Sequence, residues 1–281
     1  MESWFHGSNP SEIVQDPRYY QIAVLTSLLV YGIVALDFEV VPLQAVASVG
    51  GALVVQWLFS RWNGLPREWR SALISGLSLC LLCRTREIGW CLAGATIAVS
   101  SKFLIRLGGK HLFNPTNLAL IVLLLVSDGS VWVSPGQWGS VAFFALLMAC
   151  VGGLVVMRAG RWDVALGFLF CWALLLLGRS WWVHEPLTIP LHRLQNGALL
   201  LFTFFMISDP KTTPDSRTGR FLFAALVAIG GWWWQFLQYG TNGPLWALAA
   251  LSPFVPLIDR LLPGPAYSWP KLTPTSNPSI A

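Results

Sequence analysis

Apolar residues run along most of this chain in stretches of about 20, separated by short polar connections. An α-helix of about 20 residues spans a hydrocarbon core of about 30 Å. Inside lipid each backbone polar group must find a partner within the chain, so such stretches form helices. The pattern predicts ten membrane-spanning segments, of which the third is the shortest: residues 20–37, 40–59, 70–83, 88–106, 115–133, 138–157, 161–180, 188–207, 220–238 and 243–262.

The composition agrees with a location in lipid. The chain has 281 residues, of which 55% are hydrophobic and 11% charged, and its mean hydropathy is +0.60. Soluble domains carry about 25% charged residues, so this chain has too few polar side chains to cover a soluble globule. We therefore expect an all-α polytopic membrane protein with the lipid bilayer as its first partner. The first 19 residues are polar, which predicts no cleavable signal peptide.

Basic residues are distributed unevenly between the predicted connections. With the N-terminus in the cytoplasm, most of the 18 Lys and Arg fall in cytoplasmic connections, as the positive-inside rule requires. The outer side holds Arg84, Arg86, Arg179 and Arg193. The predicted location is the inner (plasma) membrane, with both termini in the cytoplasm. The net charge of +5 then follows from topology and does not indicate a nucleic-acid partner.

Two short similarities indicate that the second half of the chain repeats the first. Residues 71–79 align with 197–205, and residues 114–120 align with 242–248, at offsets of 126 and 128. Five spans in each half place the second half upside down, and inverted repeats hold their binding sites near the midplane. The predicted organisation is a cytoplasmic N-terminal segment, two five-helix repeats and a flexible C-terminal tail: residues 1–19, 20–133, 134–262 and 263–281.

The stretch KHLFNPTNL, which begins at Lys110, contains a strong signal for the start of a helix. Proline suits the first helical position because it lacks an N–H, and Asn114 before Pro115 is a favoured N-cap. The first N–H groups of a helix are free and carry partial positive charge. With Lys110 and His111 just upstream, they predict a place for an anion or a carbonyl-rich ring. Asn117 is a further candidate lining residue.

The stretch FFMISDPKTTPDSRTGR, residues 204–220, has the same organisation. Asp209 is a candidate cap and Pro210 opens the next turn, with Ser208 before them and Lys211 after them. By the predicted topology both stretches lie on the cytoplasmic side, so their residues are predicted to hold a ligand or line a pathway. Ordinary turn chemistry combined with basic cytoplasmic loops explains each stretch as well, and this alternative stays open.

These residues carry a family resemblance. FNP after a GGK turn, FFMISDP followed by TGR, and DPRYYQI, SALISGL and PLIDRL occur in one order along the chain. The ordered set resembles a family of membrane proteins that comprises RnfD of the Rnf electron-transport complex and NqrB of the sodium-pumping NADH:quinone oxidoreductase. VWVSPGQWGS and MISDPKTTPDS resemble a stand-alone branch described as UnbU-like. The resemblance implies ten helices in two inverted halves, similar to urea transporters.

The resemblance also bears on flavin. In these complexes the family member carries flavin mononucleotide on a threonine of a Ser-Gly-Ala-Thr-like motif, in an outer insertion between the fifth and sixth helices. Here that connection is SDGSVWVSPGQ, which contains no threonine. AGAT, which ends at Thr96, imitates the motif but lies within the fourth predicted span. We therefore expect no covalent flavin, and a non-covalent flavin stays open.

Two main functions follow. The first is an electron-transport or ion-translocating membrane component of Rnf or Nqr type, with redox or membrane partner subunits. The alternative is a stand-alone channel or transporter for a small solute or ion on the same scaffold. Its candidate lining residues are Asn114, Asn117, Gln195, Asn196 and Thr203. A structural anchor for a cytoplasmic partner, acting through the basic loop 211–220, is a third reading.

Independent enzyme chemistry is not expected. The sequence has no HExxH or Walker motif, and its four histidines form no close pair. The five cysteines lie in or beside apolar runs, and no second CxxC or His pair completes a metal site, so packing is their predicted role. At most we expect a non-catalytic or flavin-linked component of an oxidoreductase-type ion pump.

Overall fold

The computed structural model of the chain describes residues 16–35, 40–66, 68–134 and 141–267, with the side chains of residues 141–149 left aside. Most of the predicted N-terminal segment 1–19 and of the predicted tail 263–281 lies outside these residues. The assignments of Arg67 and Lys271 to the cytoplasmic side lie outside them as well, as does most of the SPGQWGS stretch.

The described residues form a mostly helical fold. The helices are α1 (Pro17–Ala35), α2 (Pro42–Trp62), α3 (Trp69–Leu82), α4 (Ile88–Leu104), α5 (Pro115–Val126), α6 (Val141–Arg158), α7 (Trp162–Trp182), α8 (Thr188–Leu194), α9 (Gly197–Leu201), α10 (Arg217–Phe236), α11 (Gly243–Leu251) and α12 (Val255–Leu261). A π-helical turn, Phe202–Met206, continues α9, and a 3-10 turn, Ser252–Phe254, joins α11 to α12.

Three of the described helices, α1, α2 and α7, are both long and apolar enough to cross a membrane. Four further apolar helices are shorter, namely α3, α4, α5 and the α9 segment that runs to Met206. The expectation of a mostly helical membrane protein is confirmed. The arrangement of ten spans in two inverted repeats stays a prediction.

Four short strands were not predicted by the all-α assignment. They are β1 (Cys83–Thr85), β2 (Arg106–Leu107), β3 (Lys110–His111) and β4 (Val131–Val133). β1 pairs antiparallel with β4 and so ties the end of α3 to the connection after α5. β2 and β3 form a hairpin through Gly108 and Gly109, whose φ angles of 59° and 82° belong to the left-handed region. Glycine adopts that region without steric cost, which explains the pair at this turn.

Two predicted spans are shorter or less regular as helices than the hydropathy pattern indicated. The segment 115–133 is helical only to Val126, because Asp128 and Gly129 take positive φ angles and turn the chain into β4. The segment 188–207 is interrupted between α8 and α9, where Asn196 caps the new helix by accepting from the N–H groups of Ala198 and Leu199. An interruption of the eighth segment agrees with the sequence analysis.

Small residues let the helices approach closely. A Cβ on Gly76 of α3 would lie 2.8 Å from the Cα of Val49 in α2. In the second half, Gly231 of α10 lies against the backbone at Gly243 and Pro244 of α11. Because lipid supplies no hydrophobic force between helices, close contact of this kind is a main source of helix association in membranes.

Gly152 of α6 packs directly on the ring of Phe204, in the π-helical turn. A Cβ at Gly152 would lie 2.6 Å from the ring, whereas a Cβ at the neighbouring Gly153 would meet nothing within 4 Å. The pair therefore offers a matched test of this packing. Phe204 is buried, so its ring has little room to move away.

We expect Gly152→Ala to destabilise the protein by about 1–3 kcal/mol, because overpacking forces the neighbouring side chain or backbone to shift. Gly153→Ala should stay within about 1 kcal/mol of the parent, since only helix propensity changes. Thermal unfolding in detergent, followed by circular dichroism, measures both variants. Equal stability of the two variants would show that the α6 contact with Phe204 is not tight.

Candidate functional site

The start of α5 has the geometry that its sequence predicts. Asn114 is extended, with φ −62° and ψ 125°, and its Oδ1 accepts from the N–H of Asn117 at 3.0 Å. Pro115 occupies the first helical position. The hairpin of β2 and β3 delivers the chain to this point, so the Gly108–Gly109 turn also fixes where Lys110 and His111 lie.

Asn114 joins the two sequence stretches into one site. Its Nδ2 donates to the carbonyl oxygen of Met206 at 3.3 Å and lies 3.4 Å from Oδ2 of Asp209. The two asparagine side-chain atoms thus serve different purposes, one capping α5 and the other contacting the second half of the chain. We refer to Asn114, Asn117, Ser208, Asp209 and their neighbours around this contact as the Asn114 site.

The turn after the π-helical segment is built around Asp209. Its Oδ1 accepts from the N–H of Lys211 at 2.9 Å, and its carbonyl oxygen accepts from the N–H groups of Thr212 and Thr213. Ser208 donates its hydroxyl to the carbonyl oxygen of Phe204 at 2.6 Å. Burial raises the pKa of Asp209, and the N–H of Lys211 and the charge of Lys102 oppose this shift only in part.

Sequence reasoning missed Lys102 as a member of this group. It lies near the end of α4, where it was counted only as a cytoplasmic charge. Its side chain is buried, and Nζ donates to the carbonyl oxygen of Ser71 at 2.8 Å and to the Ser71 hydroxyl at 3.0 Å. A lysine inside an apolar helix is itself a signal, because buried charges in membrane segments are costly and are retained mainly for function.

A cavity of about 80 Å³ lies at the Asn114 site. Its lining is unusually polar for the interior of an apolar protein. The polar lining residues are Arg18, Gln21, Ser71, Ser75, Ser78, Asn114, Thr116, Ser208 and Asp209, and Pro115 and Pro210 also contribute. This mixture of hydroxyl, amide and carboxyl oxygens suits a small cation, a proton carrier or water.

The predicted site residue Lys110 bridges two carboxyl groups. Its Nζ lies 2.8 Å from Oδ1 of Asp215 and 2.7 Å from Oδ2 of Asp259, and it donates to the carbonyl oxygen of Thr213 at 3.2 Å. Asp259 also accepts from the N–H of Asp215 at 2.7 Å. Lys110 therefore ties the β2–β3 hairpin to the loop after Asp209 and to α12.

Lys211 is directed to Tyr267. Its Nζ donates to the Tyr267 carbonyl oxygen at 3.3 Å and lies 5.9 Å from the centre of the ring. The guanidinium of Arg161 lies over the same ring, at 4.9 Å. Burial raises the pKa of Tyr267. Like Lys110, Lys211 thus contributes a contact at the edge of the site.

His111 is a partly buried base close to several cations. Its Nδ1 has no hydrogen-bond partner among the residues that the structure describes. Burial lowers the pKa of His111 to about 4, and the charges of Lys102, Arg106 and Lys211 lower it further. The imidazole is therefore neutral at physiological pH.

Asn117 lies where the two halves of the chain touch. Its Nδ2 donates to the carbonyl oxygen of Leu245 at 3.1 Å, and its buried Oδ1 has no partner in the described part of the chain. The sequence marked Asn117 as polar and placed it on α5. Its partner, 128 residues away, was not predicted.

A second buried pair also escaped sequence reasoning. Arg220 donates from Nε to both carboxyl oxygens of Asp163, at 3.0 and 2.9 Å, and from Nη2 to Oδ2 at 2.6 Å. Its Nη1 donates to the carbonyl oxygen of Asp215 at 2.7 Å. This pair fixes the start of α10 to the start of α7. The two residues are 57 positions apart, and neither lies in a recognisable pattern.

A second cavity, of about 250 Å³, opens beside the start of α9, and we call it the Asn196 cavity. Its lining mixes Arg193, Asn196, Gln235 and Asn242 with apolar side chains that include Trp172 and Leu176. Leu81, Leu82, Leu201, Phe205 and Met206 lie in an apolar layer around a space of only about 10 Å³ that also touches Ser78 of the first cavity.

Comparison with known proteins identifies the second half. The model of the NQR2, RnfD, RnfE family matches residues 129–267. Over this region the chain belongs to that family. Ser208, Asp209, Pro210 and Lys211 lie inside the matched region, and Asn114 lies before it. The UnbU-like branch of the NQR2, RnfD, RnfE family stays a prediction.

The relatives that the chain matches are D-type components of an ion-translocating oxidoreductase complex. The protein of Klebsiella pneumoniae is 32% identical over 143 residues, which is 49% of this chain and 39% of the relative. That of Pectobacterium carotovorum is 32% identical over 135 residues, or 47% of this chain and 36% of the relative. That of Escherichia coli is 32% identical over 127 residues, or 44% and 34%. The chain thus matches less than half the length of these relatives.

The environment of His111 makes stability depend on pH. A histidine whose pKa is about 4 in the folded protein and near 6.5 when unfolded contributes stability that is present above pH 6.5 and lost as the pH falls towards 4. We expect His111→Gln to lose less stability than the parent over this range. Unfolding midpoints in detergent between pH 4.5 and 7.5 measure the difference.

The control for this experiment is His192→Gln. His192 is exposed on α8, so its replacement tests the effect of removing a histidine far from the site. A parallel pH dependence of the parent and His111→Gln would contradict the burial of a neutral imidazole.

Proposed function

We propose that this chain is an integral membrane component of a Rnf- or Nqr-type complex that couples electron transport to ion translocation. The observation that carries the proposal is the buried carboxyl group of Asp209. It lies in the half that belongs to the family, contacts Asn114 of the other half and lines a polar cavity. The relatives are described as subunits of an ion-translocating oxidoreductase complex, which supports the same function here.

A layout of ten spans in two inverted repeats, residues 20–133 and 134–262, is supported by recurring local geometry. α2 and α7 each have 21 residues and end in tryptophan. Both continue as Ser-x-Trp-x-x-x-Pro, at residues 60–66 and 180–186. Gly64 and His184 take left-handed φ angles of 61° and 56°. In both turns the N–H five residues after the serine donates to the serine carbonyl oxygen at 2.9 Å.

Packing within the halves also recurs. Gly51 of α2 faces α4, where a Cβ would lie 3.3 Å from Cβ of Ala95. Gly167 of α7 faces α10 in the same way, at 3.6 Å from Cβ of Ala224. Equivalent helices in the two halves therefore use a glycine for equivalent contacts, as repeats of one structure would.

The contact between Asn117 and Leu245 supports a two-fold relation between the halves. These residues are 128 positions apart, which is the offset of the aligned stretches 114–120 and 242–248. Equivalent residues touch one another only where they lie near a symmetry axis. In inverted-repeat transporters the site lies near such an axis, and the Asn114 site is one turn of α5 away.

The Asn114 site has the chemistry for one ion at a time. A carboxyl group with a raised pKa can hold a proton, and once ionised it can bind a cation together with amide and hydroxyl oxygens. The apolar layer of Leu81, Leu82, Leu201, Phe205 and Met206 separates it from the Asn196 cavity. We propose that passage of an ion requires this layer to open, in step with redox changes in partner subunits.

The proposed setting is the inner (plasma) membrane with both termini in the cytoplasm. On the predicted cytoplasmic side, Arg18 pairs with Glu68 at 2.6 Å and Arg70 pairs with Asp16 at 3.0 Å, which holds α1 to α3. Burial opposes ionisation of Asp16, but hydrogen bonds from Arg18 outweigh it and lower the pKa of this carboxyl. These pairs are compatible with a charged, water-facing end of the bundle.

We expect Asp209→Asn to reduce ion uptake about tenfold or more, because the neutral amide can neither exchange a proton nor balance a cation. Inside-out membrane vesicles of the native host, energised with NADH, provide the assay. Uptake of ²²Na⁺ and acidification are both recorded, and equal protein levels are checked by immunoblot. The control is Asp128→Asn, in an exposed turn. Unchanged uptake of both ions in Asp209→Asn would refute the proposed role.

Flavin is best tested directly. The Asn114 cavity, at about 80 Å³, is smaller than the cavity of about 150 Å³ that holds one benzene. A three-ring flavin therefore does not fit the cavity as formed, and we route no step through it. Thr96 donates its hydroxyl to the carbonyl oxygen of Leu92 at 2.8 Å within α4, so it stays a poor candidate for covalent attachment.

We expect the purified protein to release any flavin on denaturation. Absorption and fluorescence spectra in detergent, before and after SDS or acid, distinguish the cases. Released flavin would support a non-covalent redox role. Flavin that stays with the denatured chain would contradict our prediction for the connection after α5.

The alternative function is a stand-alone channel or transporter for a small solute or ion. Two polar cavities on either side of one apolar layer favour it, since a solute pathway has this form as well. Its test is flux of small neutral solutes into liposomes that contain the purified protein alone. Flux without any electron donor would support the alternative over the redox-coupled function.

A further inference from the structure

The Asn196 cavity has the size and lining of a small-molecule site. Its volume of about 250 Å³ exceeds the about 150 Å³ that accommodates one benzene ring. Trp172, Leu176 and Phe202 supply apolar surface, and Gln235 and Asn242 supply side-chain amides. A lining with an apolar majority and a few polar groups is typical of sites for small organic ligands.

Arg193 gives this cavity an unbalanced positive charge. Among the described residues Arg193 makes no ion pair, and its guanidinium lies 5.0 Å from the centre of the Phe236 ring. Arg179 lies over the same ring, at 4.7 Å, but it pairs with Glu185 at 2.7 Å. The described lining of the cavity contains no Asp or Glu. Arg193 is therefore the cation with its charge free to act on the cavity.

A partly buried cation without a carboxylate partner is costly where the dielectric constant is low. An anionic ligand would supply that partner, and an arginine fork binds a carboxylate through two parallel hydrogen bonds. The apolar wall adds contact area for a hydrocarbon or aromatic body. These features together specify the class of ligand.

We propose that the Asn196 cavity binds a small organic anion, a carboxylate with an apolar body, with Arg193 pairing with the carboxylate. This inference goes beyond the proposed ion-coupled electron transport and does not depend on it. Binding at equilibrium requires neither partner subunits nor an open pathway. The proposed function and this site can therefore fail independently.

Isothermal titration of the purified protein in a non-ionic detergent tests the site, with benzoate as the probe and benzamide as its neutral counterpart. We expect benzoate to bind and benzamide to bind about tenfold more weakly or not at all. Arg193→Gln should weaken benzoate about tenfold or more and leave benzamide unchanged, whereas Arg193→Lys should retain part of the affinity.

Two further variants separate the site from general effects. Arg86→Gln removes an exposed arginine on the same predicted side of the membrane and should bind benzoate like the parent. Ala198→Ile keeps Arg193 but fills part of the cavity, and it should weaken both probes. Thermal unfolding confirms that each variant is folded before titration.

Three results would overturn the proposal. One is the absence of benzoate binding to the folded parent protein. Another is equal affinity for benzoate and benzamide, which would indicate a purely apolar cavity. The third is unchanged benzoate affinity in folded Arg193→Gln, which would place the bound anion elsewhere.

Discussion

Helices that begin within an apolar protein must satisfy their first N–H groups without water, and the site of this protein depends on that constraint. Asn114 does so for α5 and Asn196 for α9, each by accepting hydrogen bonds from the first turn. Asp209 plays a similar part for the turn that follows the π-helical segment. The polar side chains needed for the backbone are then also the polar side chains that line the two cavities.

One of these caps joins the two halves of the chain. The Oδ1 of Asn114 is engaged by α5, which leaves its Nδ2 to contact Met206 and Asp209 of the second half. Asn117, one turn further along, reaches Leu245. A substitution at either asparagine would therefore disturb a helix start and an inter-half contact together, which makes such variants poor probes of function alone.

Charge is used differently at different depths of the site. Lys110 is neutralised by Asp215 and Asp259, so it holds the loops at the edge of the site in place. Lys102 and Asp209 are buried with fewer direct partners, and the raised pKa of Asp209 reflects this. Groups of the second kind can change their protonation or bind an ion, since their charge is not already balanced by close ion pairs.

The sequence by itself determined the helical membrane class, the cap at Asn114 and the turn at Gly108–Gly109, because these features depend on residues within a few positions of one another. Its ordered short motifs also indicated the family that the match over residues 129–267 then established. The tertiary structure alone decided the long-range partners, which are Asp215 and Asp259 for Lys110, Leu245 for Asn117 and Asp163 for Arg220. Such contacts depend on which helices lie side by side, and a hydropathy pattern that is alike in every span carries no information on that choice.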